Sequence, residues 1–158
     1  MSFVQRFMTL LVAAVGIVGS ACAQAPSPAL LAKVNAAIDA DTARLTAIFK
    51  DIHQNPEIAF TETRTAAIIA GELKELGFTV TTGIGKTGVV GVFKNGPGKT
   101  LWFRADMDAN GGVREATGLA YASTRPQRLA DGSELHAMHA CGHDAHVTWL
   151  LGDRKSVV

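Results

Sequence analysis

Beyond residue 26, apolar residues first recur every three or four positions, which is the spacing of one face of a helix. The residues that share this spacing are Leu30, Leu31, Val34, Ile38, Leu45, Ile48 and Phe49. Ser27 suits the N-cap position and Pro28 the first helical position, so the pattern predicts a helix from there to about Ile52. Pro56 follows too closely for the helix to run much further.

A second helical pattern covers residues 62–76, and Thr61 is its expected cap. The residues predicted for its buried side are Ile68, Ile69, Leu73 and Leu76. Gly77 follows directly, and glycine readily adopts the left-handed conformation that closes many helices. The sequence therefore predicts a second helix that ends at residue 76.

The spacing then changes to the alternation and the β-branched runs that are typical of strands. Such segments cover residues 78–81, 88–93 and 100–105. A turn sequence at residues 95–98 separates the last two, so we predict that they pair as a hairpin, with Trp102 and Phe103 in the interior. Residues 107–139 are predicted to be mostly loop, and a further helix is expected to begin within residues 145–151.

This order of elements predicts an α/β fold in which helices pack on a mixed sheet. The apolar positions of residues 24–152 do not suffice to cover both faces of such a sheet. We therefore expect residues 24–152 to be the N-terminal portion of a larger domain, which is incomplete as it stands.

The first 23 residues have the pattern of an export signal. Arg6 supplies the positive start, residues 8–18 the apolar segment, and residues 21–23 a small-residue cleavage site. A membrane anchor is an alternative, but the apolar run is short for a bilayer span. A lipoprotein attached at Cys22 is another, but Gly19 fits that signal poorly. We expect an exported, periplasmic protein with no stable membrane association after signal cleavage.

The last six residues, 153–158, do not continue the apolar pattern that ends at Gly152. They match the in-frame translation of a common sequencing adapter. We therefore expect this tail to be artefactual and the coding sequence to continue beyond Gly152. An ordinary short polar tail is the alternative.

The charge of the chain argues against one class of partner, nucleic acids. The chain has 15 Lys and Arg residues against 14 Asp and Glu residues, without a basic run or a patch of interleaved aromatic residues. Nucleic-acid binding is therefore not expected. Cys141 is the one cysteine left after removal of the predicted signal, so no internal disulfide is expected either.

The strongest chemical signal is a cluster of histidines around a cysteine. Four of the five histidines lie between His136 and His146, and Cys141 lies among them. Thiolate and imidazole are the ligands that zinc prefers, so Cys141 and His143 are predicted metal ligands. His139 and His146 are candidates for a supporting or substrate-contacting role, with simple packing as the alternative.

Two aspartates, Asp106 and Asp108, directly follow the strand predicted at residues 100–105. Residues two apart on an extended chain point the same way, so both carboxylates are expected at the carboxyl end of a strand. There each is able to ligate a metal or to orient a ligating histidine. A solvated pair in a turn is the alternative. His53 lies near a predicted helix end, where a cation is favourable, and is expected to be structural.

A nucleophilic Cys141 is the chemical alternative to a metal site. Such a cysteine needs a histidine base, an orienting partner and an oxyanion hole. That mechanism leaves the other histidines and the paired aspartates without a role. A small exported metal-binding module, complete as written, is the remaining alternative.

Seven segments resemble, in the same order, the M20 family of metallopeptidases, and within it the branch of aminoacylases, hippurate hydrolases and auxin-conjugate amidohydrolases. These segments are residues 53–57, 61–65, 76–78, 87–90, 104–109, 115–119 and 138–146. The resemblance covers about residues 40–152, and the string from His139 to His146 is its most specific part. Residues 110–112 depart from the Leu-Pro that is usual there, which affects the expected shape of that loop.

The resemblance implies a two-domain enzyme with an α/β catalytic domain, a centre of two divalent ions (Zn, Mn, Co or Ni) and an inserted dimerisation domain. It implies hydrolysis of the amide bond of N-acyl or N-aryl amino acids, or of dipeptide-like substrates, by a protein that forms a homodimer in its full-length form.

The resemblance also implies roles for single residues. Cys141 and His143 match metal ligands, and Asp108 matches a supporting carboxylate. Asp106, His139 and His146 are the candidates for supporting or substrate contacts. A later Glu-Glu pair and two later histidines, all outside this chain, complete the site in such enzymes, so the chain alone is expected to be inactive.

Overall fold

The structure, a computed structural model, describes residues 25–156. The predicted signal at residues 1–23, with Cys22 in it, lies outside the described residues, as do the last two residues of the predicted tail. The chain divides into one unit that ends at Leu31 and a larger unit that begins at Ala32. Among the helices of the described part, none combines the length and the apolar character that crossing a membrane requires.

Helix α1 spans Pro28–Gln54 and begins where the sequence predicts. The Ser27 hydroxyl oxygen accepts a hydrogen bond from the Leu30 backbone N–H at 3.2 Å, which satisfies one of the unpaired donors at the helix start. Ile52 and His53 are buried in the last turns, whereas Leu30 is exposed. The carboxyl-terminal part of α1 therefore supplies packing together with one buried polar side chain.

Helix α2 spans Thr63–Glu75, but Thr61 does not cap it. The Thr61 hydroxyl donates instead to a preceding backbone carbonyl. The Glu57 carboxylate accepts the backbone N–H groups of Arg64 at 2.9 Å and Thr65 at 2.7 Å. The cap predicted for Thr61 is wrong because a charged acceptor earlier in the chain reaches the same donors, and a negative charge there also suits the helix dipole.

The carboxyl end of α2 confirms the role predicted for Gly77, whose φ is 83°. The Gly77 N–H donates to the Lys74 carbonyl at 2.9 Å, and the Phe78 N–H donates to the Leu73 carbonyl at 3.0 Å. This pair of bonds is the Schellman motif, which satisfies the last carbonyls of a helix. It also sends the chain back so that Phe78 packs on the core.

Strands β1 (Thr79–Ile84) and β2 (Gly88–Val92) form an antiparallel hairpin. Gly85 and Lys86 in the connecting turn both have positive φ, as the tight turns of hairpins often require. The hairpin predicted between residues 88–93 and 100–105 is therefore wrong. The short turn pairs β2 with the strand that precedes it instead.

The segment around residues 100–105 does not form a strand in the described part of the chain. Leu101 is 77% exposed, Trp102 84% and Phe103 50%, so the prediction that Trp102 and Phe103 are interior is also wrong. Their composition suits a strand, but a strand satisfies its backbone groups only beside a hydrogen-bonded neighbour. No strand of residues 25–156 lies in that position.

The chain between residues 107 and 139 is mostly loop, as predicted, with two short antiparallel pairs. These pairs are β3 (Asn110–Gly111) with β6 (Ala137–Met138), and β4 (Gln127–Arg128) with β5 (Glu134–Leu135). Helix α3 spans His143–Ser156 and so begins slightly before the predicted position. The β3–β6 pair brings the residues after Asp108 beside the residues before His143.

The core forms from residues of the three helices and of the β1–β2 hairpin. Its buried members are Ile52, Ile69, Leu73, Val147 and Leu151. Burying one such side chain contributes roughly 1.5–3 kcal/mol. Because Val147 and Leu151 belong to α3, this packing fixes the helix that carries two of the histidines singled out in the sequence.

Candidate metal site

Three side chains bring potential metal donors together. One donor atom each from Asp106, His143 and His146 lies within 4.8 Å of the others, and all three residues are partly exposed. Helix α3 positions the two histidines, since residues three apart share a helical face and their rings lie 5.2 Å apart. A carboxylate and two imidazoles form a donor set that suits zinc and similar divalent ions.

Asp108 fixes the orientation of the His143 ring. His143 Nδ1 lies 2.8 Å from the Asp108 carbonyl oxygen and 3.0 Å from Asp108 Oδ1. A carbonyl oxygen only accepts, so Nδ1 carries the proton and the lone pair of Nε2 is left for a metal. The structure thus places Asp108 where a supporting carboxylate would act, and that role stays a prediction.

Asp106 already has a partner among the described residues. The Arg104 guanidinium donates to Asp106 Oδ1 at 2.6 Å, and both side chains are exposed to solvent. An exposed ion pair of this kind is weak, so a divalent ion would compete with it effectively. The three donors therefore fit a metal, with Arg104 as the competing cation.

Cys141 is not one of the three donors in this group. Its thiol is free and exposed, and its backbone N–H donates to Asn110 Oδ1 at 3.2 Å in the turn before α3. The structure therefore joins His143 with Asp106 and His146, two residues for which the sequence predicts a supporting or substrate-contacting role. The ligand roles predicted for Cys141 and His143 stay predictions.

Two other histidines of the cluster lie outside the donor group. His139 is only 5% exposed, and neither of its ring nitrogens has a hydrogen-bond partner among the described residues. Burial lowers the pKa of His139, which keeps the ring neutral. His136 Nε2 lies 2.7 Å from the Arg114 guanidinium and therefore accepts a hydrogen bond from it.

His53 is enclosed by two carboxylates. Its Nδ1 lies 2.6 Å from Asp144 Oδ2 and its Nε2 lies 3.2 Å from Glu115 Oε1. A neutral imidazole has only one N–H, so the doubly protonated ring is the form that donates to both. Burial opposes that charge, but the hydrogen bonds to Asp144 and Glu115 outweigh it and raise the pKa of His53 above 6.5.

Glu115 is the anchor of this enclosed cluster. Its carboxylate accepts the Ser123 backbone N–H at 2.5 Å, the Ser123 hydroxyl at 2.9 Å and the Thr117 hydroxyl. Burial alone would raise the pKa of Glu115, yet these bonds and the one from His53 lower it to about 2. His53 lies in the last turn of α1, as expected, and two buried carboxylates bind its ring there. The structural role expected for it stays a prediction.

Comparison with known proteins decides the family. No family model matches the chain. Hippurate hydrolase of Campylobacter jejuni is 48% identical over 101 residues, which cover 63% of this chain and 24% of that protein. The IAA-amino acid hydrolase ILR1-like 4 of Arabidopsis thaliana is 36% identical over 111 residues, which cover 70% of this chain and 23% of that protein.

A solved structure gives the same result. The YxeP protein of Bacillus subtilis, a dinuclear metal-binding peptidase from the M20 family, matches with a TM-score of 0.58 and 31% identity over 72% of this chain and 30% of that chain. The chain belongs to the M20 family. This confirms the resemblance read from the sequence and the predicted α/β class.

The chain spans about a quarter of the length of the curated M20 relatives it matches. Those relatives are hydrolases, and the dinuclear centre of YxeP supports the binding of divalent metal by this family. Asp106, His143 and His146 are the potential metal donors that the structure brings together among the described residues.

Proposed function

We propose that the full-length protein hydrolyses the amide bond of small N-acyl or N-aryl amino acids, or of dipeptide-like substrates, with metal ions that this chain helps to hold. The observation that carries the proposal is the convergence of Asp106, His143 and His146 in a chain of the M20 family. Relatives named for the hydrolysis of hippurate and of IAA-amino acid support the substrate class.

The proposed site takes two divalent ions, with zinc, manganese, cobalt and nickel as the candidates. Asp106, His143 and His146 would hold one of them, and Cys141 would add a ligand from the turn before α3. When bound, such an ion supplies Lewis acidity to the substrate carbonyl and to the attacking water. The name of YxeP, a dinuclear metal-binding peptidase, supports the count of two.

The residues of this chain then have an orienting role. Asp108 keeps the proton on His143 Nδ1 and so presents Nε2 in one direction. Bond cleavage requires water oxygen to add to the carbonyl carbon and a proton to reach the leaving amine. A glutamate outside this chain would carry that proton, as the family resemblance implies.

Metal removal tests this function directly. The full-length protein is dialysed against a chelator, and release of an amino acid from its N-benzoyl derivative is measured before and after each candidate ion is restored. We expect activity to disappear with the metal and to return with at least one ion. Activity that persists without metal would contradict the proposal.

The same assay separates the cysteine-hydrolase alternative. Among the described residues, no hydrogen bond joins the Cys141 thiol to a histidine, so a general base for that thiol is lacking there. If Cys141 were the nucleophile, a Cys141→Ala variant would lose activity with or without metal, whereas chelation of the parent protein would leave activity intact.

We also propose that residues 24–152 belong to the catalytic domain, that the protein is exported to the periplasm after cleavage of residues 1–23, and that the full-length enzyme is a homodimer. Support for export comes from the charged start, the apolar segment and the small-residue site in the sequence. N-terminal sequencing of the protein from a periplasmic fraction tests export. Sedimentation of the full-length enzyme tests the dimer.

A further inference from the structure

We propose that His53 is a positioning residue: through its ion pair with Asp144 it holds the first turn of helix α3, and so the geometry of His143 and His146. This inference rests on the proposed metal site. His53 itself touches none of the three donors of that site; it acts on the backbone that carries two of them.

Asp144 is the link between His53 and that backbone. The residue is 2% exposed and lies between the two candidate ligands in the sequence. Its Oδ2 accepts from His53 Nδ1 at 2.6 Å, while its Oδ1 accepts the Ala145 backbone N–H at 2.8 Å. Its carbonyl accepts the Thr148 hydroxyl at 2.8 Å. A single buried side chain thus ties the helix start to His53.

His53 is held in place because other groups contact both its ring nitrogens and its ring. Glu115 bonds its Nε2, and Glu115 is itself bonded to the Ser123 backbone. The rings of Phe49 and Tyr121 lie 5.7 Å and 5.4 Å from the His53 ring. The imidazole therefore resists any movement of Asp144, and the restraint passes from helix α1 to helix α3.

Two restraints consequently meet at the start of α3. Asp108 orients the ring of His143 directly, and His53 fixes the adjacent residue Asp144. Without His53, the Asp144 carboxylate would be a buried charge without its cationic partner, which is strongly unfavourable. Asp144 would then turn toward water, and the first turn of α3 would follow because Asp144 also bonds that turn.

A cobalt titration of the full-length protein tests this inference. Co²⁺ is added to the parent protein and to its His53→Phe variant, which keeps an aromatic ring between Phe49 and Tyr121 but removes both N–H donors. The dissociation constant and the visible absorption of bound Co²⁺ are measured. We expect His53→Phe to bind about tenfold more weakly, the lower end of the effect of removing groups that support ligands, with an altered spectrum.

A double-mutant cycle shows whether His53 acts through Asp144. The cycle compares His53→Phe, Asp144→Asn and the double variant. If the ion pair transmits the restraint, the double variant binds Co²⁺ about as well as the weaker single variant, because the second change removes nothing more. His53→Gln, which keeps one N–H donor, should recover part of the affinity and of the spectrum.

A stability control excludes a general loss of structure. Ile69→Val and Ile69→Ala shorten an apolar core side chain of α2 and leave the polar contacts of His53 and Asp144 in place. The variant whose thermal midpoint matches that of His53→Phe is used. This control should bind Co²⁺ like the parent. If His53→Phe does not fold, His53→Gln takes its place in the cycle.

Three results would overturn the inference. They are unchanged affinity and spectrum in the folded His53 variant, affinity losses that add in the cycle, and an equal loss in the Ile69 control. If the full-length parent protein itself binds no Co²⁺, the proposed metal site fails and the inference fails with it. Parent binding with an unaffected His53 variant removes only the inference.

Discussion

Two histidine-centred clusters share the first turn of helix α3, and they differ in how fully the protein satisfies them. His53 is enclosed, with both ring nitrogens bonded to the buried carboxylates of Glu115 and Asp144. The group of Asp106, His143 and His146 is partly exposed, and Asp108 occupies only one nitrogen of His143. In the enclosed cluster neither ring nitrogen of His53 is available to a ligand, because both are already hydrogen-bonded. The open cluster presents several atoms that are able to bind a metal.

The two clusters therefore suit different roles, one in fixing geometry and the other in binding a ligand. A buried cluster whose hydrogen bonds are all internal gives up binding capacity and gains a defined geometry. An open cluster keeps lone pairs for a ligand, but its side chains have fewer restraints of their own. Asp144 connects the two, since it contacts His53 and lies between His143 and His146 in the chain. Changes to the enclosed cluster should therefore alter mainly the stability of the protein, and changes to the open cluster mainly its metal affinity.

The largest effect is expected from breaking the enclosed cluster at Glu115. Glu115→Ala removes the acceptor for His53 and for the Ser123 N–H and leaves a buried cation with one partner fewer. We expect a loss of roughly 3 kcal/mol in the free energy of unfolding, measured by urea denaturation. Glu134→Ala, at an exposed glutamate, is the matched control and should change stability by less than about 0.5 kcal/mol.

The next largest effect is expected in the open cluster. His143→Ala removes a proposed ligand, so divalent-metal affinity measured by calorimetry should fall by about 100-fold or more, beyond what loss of a supporting group causes. Unfolding free energy in the absence of metal should change far less than in Glu115→Ala, since His143 is partly exposed. His136→Ala is the control within the same segment, and an equal loss of affinity there would contradict the assignment.

An intermediate effect is expected from pH, and it should come from the enclosed cluster. The raised pKa of His53 means that its ion pairs stabilise the protein fully below about pH 6.5 and progressively less as pH rises through the folded-state value. Thermal midpoints measured from about pH 6 to about pH 9 should therefore fall with rising pH. His53→Gln should flatten this slope, and a slope unchanged by that substitution would show that another group causes it.

The smallest effect is expected where Arg104 competes for Asp106. Arg104→Met removes an exposed ion pair at 2.6 Å and frees the carboxylate. Metal affinity should rise roughly twofold to fivefold, because exposed ion pairs are worth about 0.2–1 kcal/mol. Arg128→Met, a change of the same charge elsewhere, should leave affinity unchanged. Weaker binding in Arg104→Met would show that Arg104 helps to build the site instead of competing with the metal.

Local signals in the sequence were enough to predict the helices. Ser27 and Gly77 mark helix ends through bonds to residues a few positions away, and both act as predicted. The cap predicted at Thr61 is wrong, because the Glu57 carboxylate reaches the backbone donors at the start of α2 from a preceding turn. A capping residue is thus predictable from the sequence when it bonds to backbone groups a few positions away, and less so when its partners lie further along the chain.

Long-range pairing explains what could not be predicted. Glu115 and Asp144 lie 62 and 91 residues after His53, and no short-range pattern links them. Residues 100–105 have the composition of a strand, but whether they form one depends on a neighbouring strand that local composition cannot supply. The histidine string predicted metal binding correctly at the level of the family, while the grouping of Asp106 with His146 required the fold.

One neighbour of the open cluster gives the protein an optical reporter. Trp149 is 68% exposed, and its indole ring lies 5.7 Å from the His146 ring on the same face of α3. A paramagnetic ion held by His146 should quench the fluorescence of that indole. Trp102→Phe removes the other tryptophan of the chain, so emission from Trp149 alone would follow occupancy of the site without any added dye or label.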